Sequence, residues 1–507
     1  MNTTDRFLLT FAVMAATIMQ VLDNTIANVA LPYMAGELGA TIDNVSWVLT
    51  SYLVASSIAM PLTGYLSDRL GVRRYLLISI GGFVFASGLC GIATSLYEMV
   101  LFRLLQGLFG ASLIPLSRAI TFEAYPKAER GKAAAIWGMG VMVAPILGPT
   151  IGGYLTEVFN WRWVFYINLP IGALSLLLAA RYVPRTQVKV RTMDWLGLAS
   201  LALAVGALQL VLDRGQQEDW FSSTAIRVEA ALAAAGFALF LLHSLRTRQQ
   251  PLLDLGLFKD RNFALACLVV AAMGPGMFGA QFLQPLFMEN LLAFPTLTVG
   301  LVMMPRGIGA FISMSVAGRF TDRISPKWMV LPGVLLAMTA SYLMTRYNTQ
   351  VGKADLMVPL FLQGLGMGLI FVPLSVLAFA TIPMTAVAEA AGIFSLSRSV
   401  GAAIGISAVS SFLARTTEAQ WSLLRGQVNP FNPAMHAYLQ PIDLHPYGQG
   451  IQILARTVGI QAQLTAFVSS FWFITASFVM LLPLVLLLKE RGPARHTHVT
   501  GVAERVT

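Results

Sequence analysis

Apolar residues fall along this chain in long blocks, and the charged residues gather in the gaps between them. About 20 apolar residues cross a bilayer core as a helix. Inside lipid each backbone group needs an internal partner, so blocks of this length predict helices. The short alternating segments of a membrane barrel are not visible. The expected spans run Phe7–Leu31, Val45–Tyr65, Tyr75–Thr94, Tyr97–Arg118, Lys132–Leu155 and Trp163–Val183 in the first part. Trp195–Leu212 and Ala225–His243 form the middle. Phe263–Met288, Thr298–Val316, Trp328–Met344, Leu356–Leu377, Ile393–Leu413 and Ala466–Leu488 follow, about fourteen in all. The first block lacks a small-residue cleavage site after a short apolar core, so it reads as a retained helix and not a signal peptide.

Composition strengthens the membrane reading. Of 507 residues, 56% are hydrophobic and 11% are charged, against about 25% charged in a soluble domain. The charges are also asymmetric. With the N-terminus placed in the cytoplasm, the inward loops hold Arg69, Arg73, Arg74, Lys127, Arg130, Lys132, Arg181, Arg185, Lys189 and Arg191. Later inward segments hold Arg246, Arg248, Lys259, Arg261, Arg319, Arg323, Lys327, Lys489, Arg491, Arg495 and Arg505. Outward loops keep only Arg162, Arg214, Arg227, Arg346 and Lys353. This is the positive-inside pattern, and an even helix count puts both termini inside. The net charge of +10 is then a topology signal and not a nucleic-acid footprint. Cys90 and Cys267 both fall in spans, which argues against a disulfide framework or a metal site.

The chain repeats itself. Met60–Arg69 (MPLTGYLSDR) returns as Met314–Arg323 (MSVAGRFTDR), an offset of 254 residues (318 − 64). Leu105-Gln106-Gly107-Leu108 returns as Leu362-Gln363-Gly364-Leu365, an offset of 257 (363 − 106). Six helices with short loops need only about 180 residues, so the offset leaves room for an inserted pair. The expected domains are a six-helix bundle over 1–185, two inserted helices over 186–260, and a second bundle over 261–507. An outward loop at 415–463 belongs to the last, and its Pro430, Pro433, Pro441 and Pro446 argue against one continuous helix. Duplicated halves are typical of secondary transporters, whose substrate path lies between them.

Two motifs carry most of the chemistry. After the second span comes Gly64-Tyr-Leu-Ser-Asp68-Arg69-Leu-Gly71-Val-Arg73-Arg74. The glycines allow a tight turn and close helix approach, Asp68 suits a helix N-terminus, and the arginines anchor the loop. A plain positive-inside loop is the blander account. The distal copy loses the second glycine to Ser325 and places Trp328 where the last arginine would stand. In the fifth span, Ala144-Pro145-Ile-Leu-Gly148-Pro149-Thr-Ile-Gly152-Gly153 combines kinking prolines with glycines for close packing.

These motifs resemble those of the major facilitator superfamily, and the fold they imply is all-α with two six-helix bundles. The Pro145–Gly153 stretch is similar to the signature that separates antiporters from symporters. Leu22–Pro32 (LDNTIANVALP), Arg103–Gly107 (RLLQG) and Trp161–Pro170 (WRWVFYINLP) resemble motifs of the fourteen-helix drug:proton antiporters. Leu212–Gly215 and Asp219–Phe221 also resemble motifs of those antiporters, and Asn429–Pro433 (NPFNP) points to the EmrB-type exporters among them. The resemblance implies export of hydrophobic or amphipathic compounds across the bacterial inner (cytoplasmic) membrane. It further implies a proton gradient as energy source with no cofactor, a periplasmic membrane-fusion adaptor and an outer-membrane channel.

Proton coupling needs a titratable group that changes environment. Asp23 lies inside the first span and Arg103 inside the fourth, so both are candidates. For each, a structural hydrogen-bonding role is the rival. Gln20, Asn24, Asn28, Gln106, Gln281 and Gln284 either line a substrate path or bond between helices. Arg306 either faces a cavity or snorkels, Arg398 reads as snorkelling from near a span end, and Glu289 is either a second titrating site or a solvated rim residue. A nucleotide-driven pump is argued against by the lack of a phosphate-binding loop, since Gly131-Lys132 runs on into Ala133. Gly364-Leu-Gly-Met-Gly368 has no preceding strand, so helix packing accounts for it. A symporter or exporter of one metabolite remains the alternative within the same fold, and a non-transporting scaffold leaves Asp23 and Arg103 without a purpose.

Overall fold

A computed structural model describes residues 3–126, 129–188, 192–247, 252–321, 324–383, 386–426, 433 and 449–488. The chain opens with α1 (Thr3–Glu37), α2 (Ile42–Val45), α3 (Trp47–Ala59), α4 (Leu62–Leu70) and α5 (Val72–Ile92). It continues through α6 (Leu96–Gly110), α7 (Leu113–Ala124), α8 (Arg130–Val158), α9 (Trp163–Tyr166) and α10 (Asn168–Tyr182). A middle pair follows, α11 (Trp195–Arg214) and α12 (Thr224–Arg246). The remainder is α13 (Arg261–Ala272), α14 (Ala280–Asn290), α15 (Thr296–Phe320), α16 (Pro326–Met344), α17 (Lys353–Ala378), α18 (Val387–Arg425) and α19 (Gln449–Leu486). No strand occurs among the described residues.

Twelve of these stretches are long and apolar enough to cross a membrane, and the pair α3–α4 makes a thirteenth. Helix α8 has 29 residues, about 43 Å at 1.5 Å per residue, but it is not among the 12 to 13 apolar spans of the described residues, against the expected fourteen or so. The protein is a multi-pass membrane protein.

Three spans differ from their sequence outlines. The second is bent by 61° between Ala59 and Leu62, because Pro61 has no N–H to carry the hydrogen-bond ladder on. The fourth extends beyond Arg118 to Ala124, which leaves that arginine inside the span. The last two helices reach Arg425 and begin at Gln449, so much of 415–463 is helical and not loop. Residues 415–428 and 447–463 contain no proline and several good helix formers, and an established helix propagates readily through such sequence. Residues 427–432 and 434–448, with most of the Asn429–Pro433 motif, lie outside the described residues. So do Lys127, Lys189, Arg191, Arg248, Asp322, Arg323 and the basic tail from Lys489.

Glycines set the seams. Helix α8 runs beside α15, with Gly138 on the Met314 sulfur and Gly318 on Ala135. A second seam joins α4 and α7 to α18. Within the span Arg261–Asn290, Gly274–Gly279 forms a π-turn where Gly274, Gly401 and Gly405 bring α18 into backbone contact. The middle pair docks through α11 on α3, where Thr50 donates to Asp213 and Arg214 lies 5.4 Å from the Trp47 ring. Helix α12 leaves Phe237, Leu239, Leu241 and Leu242 exposed, the surface expected against lipid chains.

Candidate functional site

The fully buried carboxylate of Asp23 is the centre of a polar knot in the first six spans. Its Oδ2 accepts from Arg103 Nη1 at 2.5 Å. Its Oδ1 accepts from Gln106 Nε2 at 3.0 Å and from Asn168 Nδ2 at 2.7 Å. Arg103 and Gln106 share a face of α6, three residues apart, as the helical repeat requires. Asn168 comes from the start of α10. Arg103, itself fully buried, also donates from Nε to the Val48 carbonyl at 2.9 Å and from Nη1 to Gln106 Oε1 at 2.6 Å. The Tyr52 ring lies 4.4 Å from its guanidinium carbon. Gly107 makes this approach possible, since a Cβ there would stand 2.5 Å from the Tyr52 carbonyl oxygen.

A buried ion pair is tolerated only when its remaining donors and acceptors are met. Here both carboxylate oxygens are met by three donors. One Arg103 nitrogen, Nη2, and the Asn168 oxygen have no hydrogen-bond partner, so the knot is not fully closed.

Gln20 and Asn24 extend from the knot along the same stripe of α1. Gln20 is buried, Asn24 half-buried and Asn28 exposed, so accessibility grows in one direction along the stripe. In the second half, Gln284 Nε2 donates to Gln363 Oε1 at 3.0 Å and Arg306 Nη2 to Gln281 Oε1 at 3.4 Å. Arg306 is 8% exposed, packed inside and not snorkelling. Glu289 is exposed at the end of α14. Arg398 lies eleven residues into α18 (398 − 387), too deep for the end-of-span position expected of it.

The glycine–arginine motif closes one end of the second seam. A Cβ on Gly64 would stand 2.9 Å from the Glu389 Cβ and 3.0 Å from its Cα, so the glycine lets α4 touch α18. Gly71 sits at φ +79°, a conformation that side chains resist. The next N–H, of Val72, donates to Thr186 Oγ1 at 2.8 Å, and Arg73 donates to the Ala180 carbonyl. Arg69 donates to the Tyr65 hydroxyl at 2.5 Å, while Arg74 is exposed and Asp68 half-buried. In the Pro145–Gly153 stretch, the α8 helix continues through both proline positions. Gly148 packs against Thr25 and Gly152 against Ile26, whereas a Cβ on Gly153 would meet nothing within 4 Å.

Three participants escaped sequence reasoning as site residues. Asn168 was visible only as part of WRWVFYINLP, and Tyr52 gave no signal. Gln363 was marked by the internal repeat and not by its chemistry.

Long apolar helices, with a dehydrated ion pair buried among them and polar stripes along others, define a polytopic membrane-transporter architecture. The sequence profile described as Major Facilitator Superfamily matches residues 13–406, and the chain belongs to that superfamily. It is 34% identical over 489 residues to the multidrug export protein EmrB of Escherichia coli (strain K12), covering 95% of each chain. It is 33% identical to the EmrB of Haemophilus influenzae, over 96% of this chain and 97% of that one. To the fatty acid resistance protein FarB of Neisseria gonorrhoeae it is 34% identical over 94% of both. Among solved structures, a double-tryptophan variant of XylE superposes with TM-score 0.65 at 14% identity over 97% of both chains. That likeness shows the fold. The protein is a transporter and not an enzyme.

Proposed function

We propose that this chain exports hydrophobic or amphipathic compounds across the bacterial inner membrane in exchange for protons, by alternating access. The Asp23–Arg103 pair carries the reading. It is a titratable carboxylate with no exposure, on the same helix as a polar stripe whose accessibility grows away from it. The likeness to multidrug export proteins over nearly the whole chain supports drug-like cargo and outward direction. In this scheme the bundles 1–185 and 261–507 rock about the α8–α15 and α4–α18 seams. The segment 415–463 contacts a periplasmic membrane-fusion adaptor that leads to an outer-membrane channel, and both termini lie in the cytoplasm. A proton from outside neutralises Asp23, loosens Arg103, Gln106 and Asn168, and resets the carrier.

Uptake into inverted membrane vesicles under an imposed pH gradient tests this directly. Accumulation of amphipathic dyes is expected with the wild-type protein and is lost in Asp23→Asn. Undiminished proton-linked uptake in that variant removes Asp23 from the coupling role. Accumulation driven in the opposite sense favours a symporter.

A further inference from the structure

Arg118 lies in α7 and is 2% exposed, yet it makes no ion pair among the described residues. Its Nε and Nη2 have no hydrogen-bond acceptor. A dehydrated guanidinium is costly unless paired; Arg103, equally buried, has Asp23. What surrounds Arg118 instead is aromatic. Ring centroids of Phe394, Phe379, Trp137, Phe371 and Phe122 lie 4.4, 4.9, 5.1, 5.6 and 6.0 Å from its guanidinium carbon. Ring faces attract a cation but leave the in-plane N–H groups unanswered. Arg398, a second cation, acts on its charge unfavourably.

The rings come from both halves. Phe122 and Trp137 belong to α7 and α8, while Phe371 belongs to α17, Phe379 follows its last residue and Phe394 belongs to α18. Phe394 stands five residues beyond Glu389, whose Cα and Cβ seat Gly64. Parting α4 from α18 at that contact therefore draws Phe394 away from Arg118 and bares the guanidinium fork.

We propose that Arg118 recognises the acidic head of the transported compound, an amphipathic organic anion with a carboxylate on an apolar or aromatic body. The inference rests on the export reading and names its substrate class. With the halves parted, a carboxylate pairs with the fork in the bidentate manner that suits arginine. With the halves closed, the distal rings return to the guanidinium and compete with the bound anion, which favours release on the other side. Arg398 adds positive charge that selects against cationic compounds.

The test uses the full chain in phosphatidylcholine nanodiscs and compares equilibrium binding of naphthylacetate with that of its neutral isostere naphthylacetamide. Wild-type protein is expected to prefer the acid by about tenfold or more, the scale of a charge-assisted contact. Arg118→Gln collapses the preference to about one, and Arg118→Lys restores part of it through the retained charge. Equal affinity for acid and amide in the wild type overturns the proposal without recourse to any variant. So does failure to bind either probe, or a preference that survives in Arg118→Gln. The same two probes in inverted vesicles separate the two readings. Export of both without preference leaves export standing and removes the anion site, whereas preferential binding without transport removes export and keeps the site.

Discussion

Gln363 repeats Gln106 at an offset of 257 residues (363 − 106), but the two amides meet different partners. Each precedes a glycine that seats its helix on a backbone carbonyl, Gly107 on Tyr52 and Gly364 on Arg306. Tyr52 and Arg306 are themselves 254 apart (306 − 52), the offset of the glycine motif. Gln106 donates to a carboxylate, Asp23, whereas Gln363 accepts from a neutral amide, Gln284. The scaffold of the polar knot is thus duplicated, while the carboxylate at its centre has its place in the first half.

Removing one member of the Asp23–Arg103 pair leaves the other buried without its counter-charge, which costs about 3–5 kcal/mol. Asp23→Leu and Arg103→Leu are each expected to lower the thermal midpoint of the purified protein, and the double variant less than the two losses added. Additive losses would show that the pair does not act as a unit.

The distal pair predicts the opposite sensitivity. Gln284→Leu alone strands the Gln363 amide, at about 1–3 kcal/mol, while replacing both with leucine is near neutral. Because no charge is involved, the double variant retains its dependence on the pH gradient. Loss of that dependence would place the proton site in the second half.

Much of this arrangement is legible in the sequence. Lipid allows one kind of spanning element here, so block length and the placement of arginines outline the spans. The Asp23–Arg103 pairing is legible as two costly charges in apolar blocks. Arg118 is not, because a charge at the edge of an apolar block reads as a boundary, and only the continuation of the span to Ala124 puts it inside. Asn168 and Gln363 were hidden for another reason. An amide looks the same in sequence whether it faces a carboxylate, another amide or water.

Packing at the α1–α8 contact separates three glycines of one stretch, Gly148, Gly152 and Gly153. A methyl group on Gly148 meets the Thr25 side chain, and one on Gly152 meets Ile26 Cγ2 at 3.1 Å and Cα at 3.4 Å. Gly148→Ala and Gly152→Ala are expected to lower the thermal midpoint and slow transport. Gly153→Ala, with open space around it, stays within about 0.5 kcal/mol of the parent. An equal defect at Gly153 would point to a partner or a conformation other than this one.

A last prediction concerns pH and the docking of the inserted pair. Asp194 caps α11, accepting from the Gly197 N–H at 2.8 Å, and it also meets the Leu252 N–H at 3.2 Å and His243 Nε2 at 2.7 Å. Burial alone would raise its pKa, but the Gly197, His243 and Leu252 contacts outweigh that and hold it below the usual aspartate value. A carboxyl with a depressed folded pKa contributes stability that is present above its unfolded pKa and is lost as pH falls through the folded one. The wild type should therefore melt above Asp194→Asn at pH 7, and the gap should close as the pH is lowered through about 4 and below. Comparing the two proteins at each pH cancels the other carboxylates. A gap that stays constant down to the acid limit would mean that Asp194 holds α11 and α12 together through shape and neutral hydrogen bonds, without a contribution from its charge.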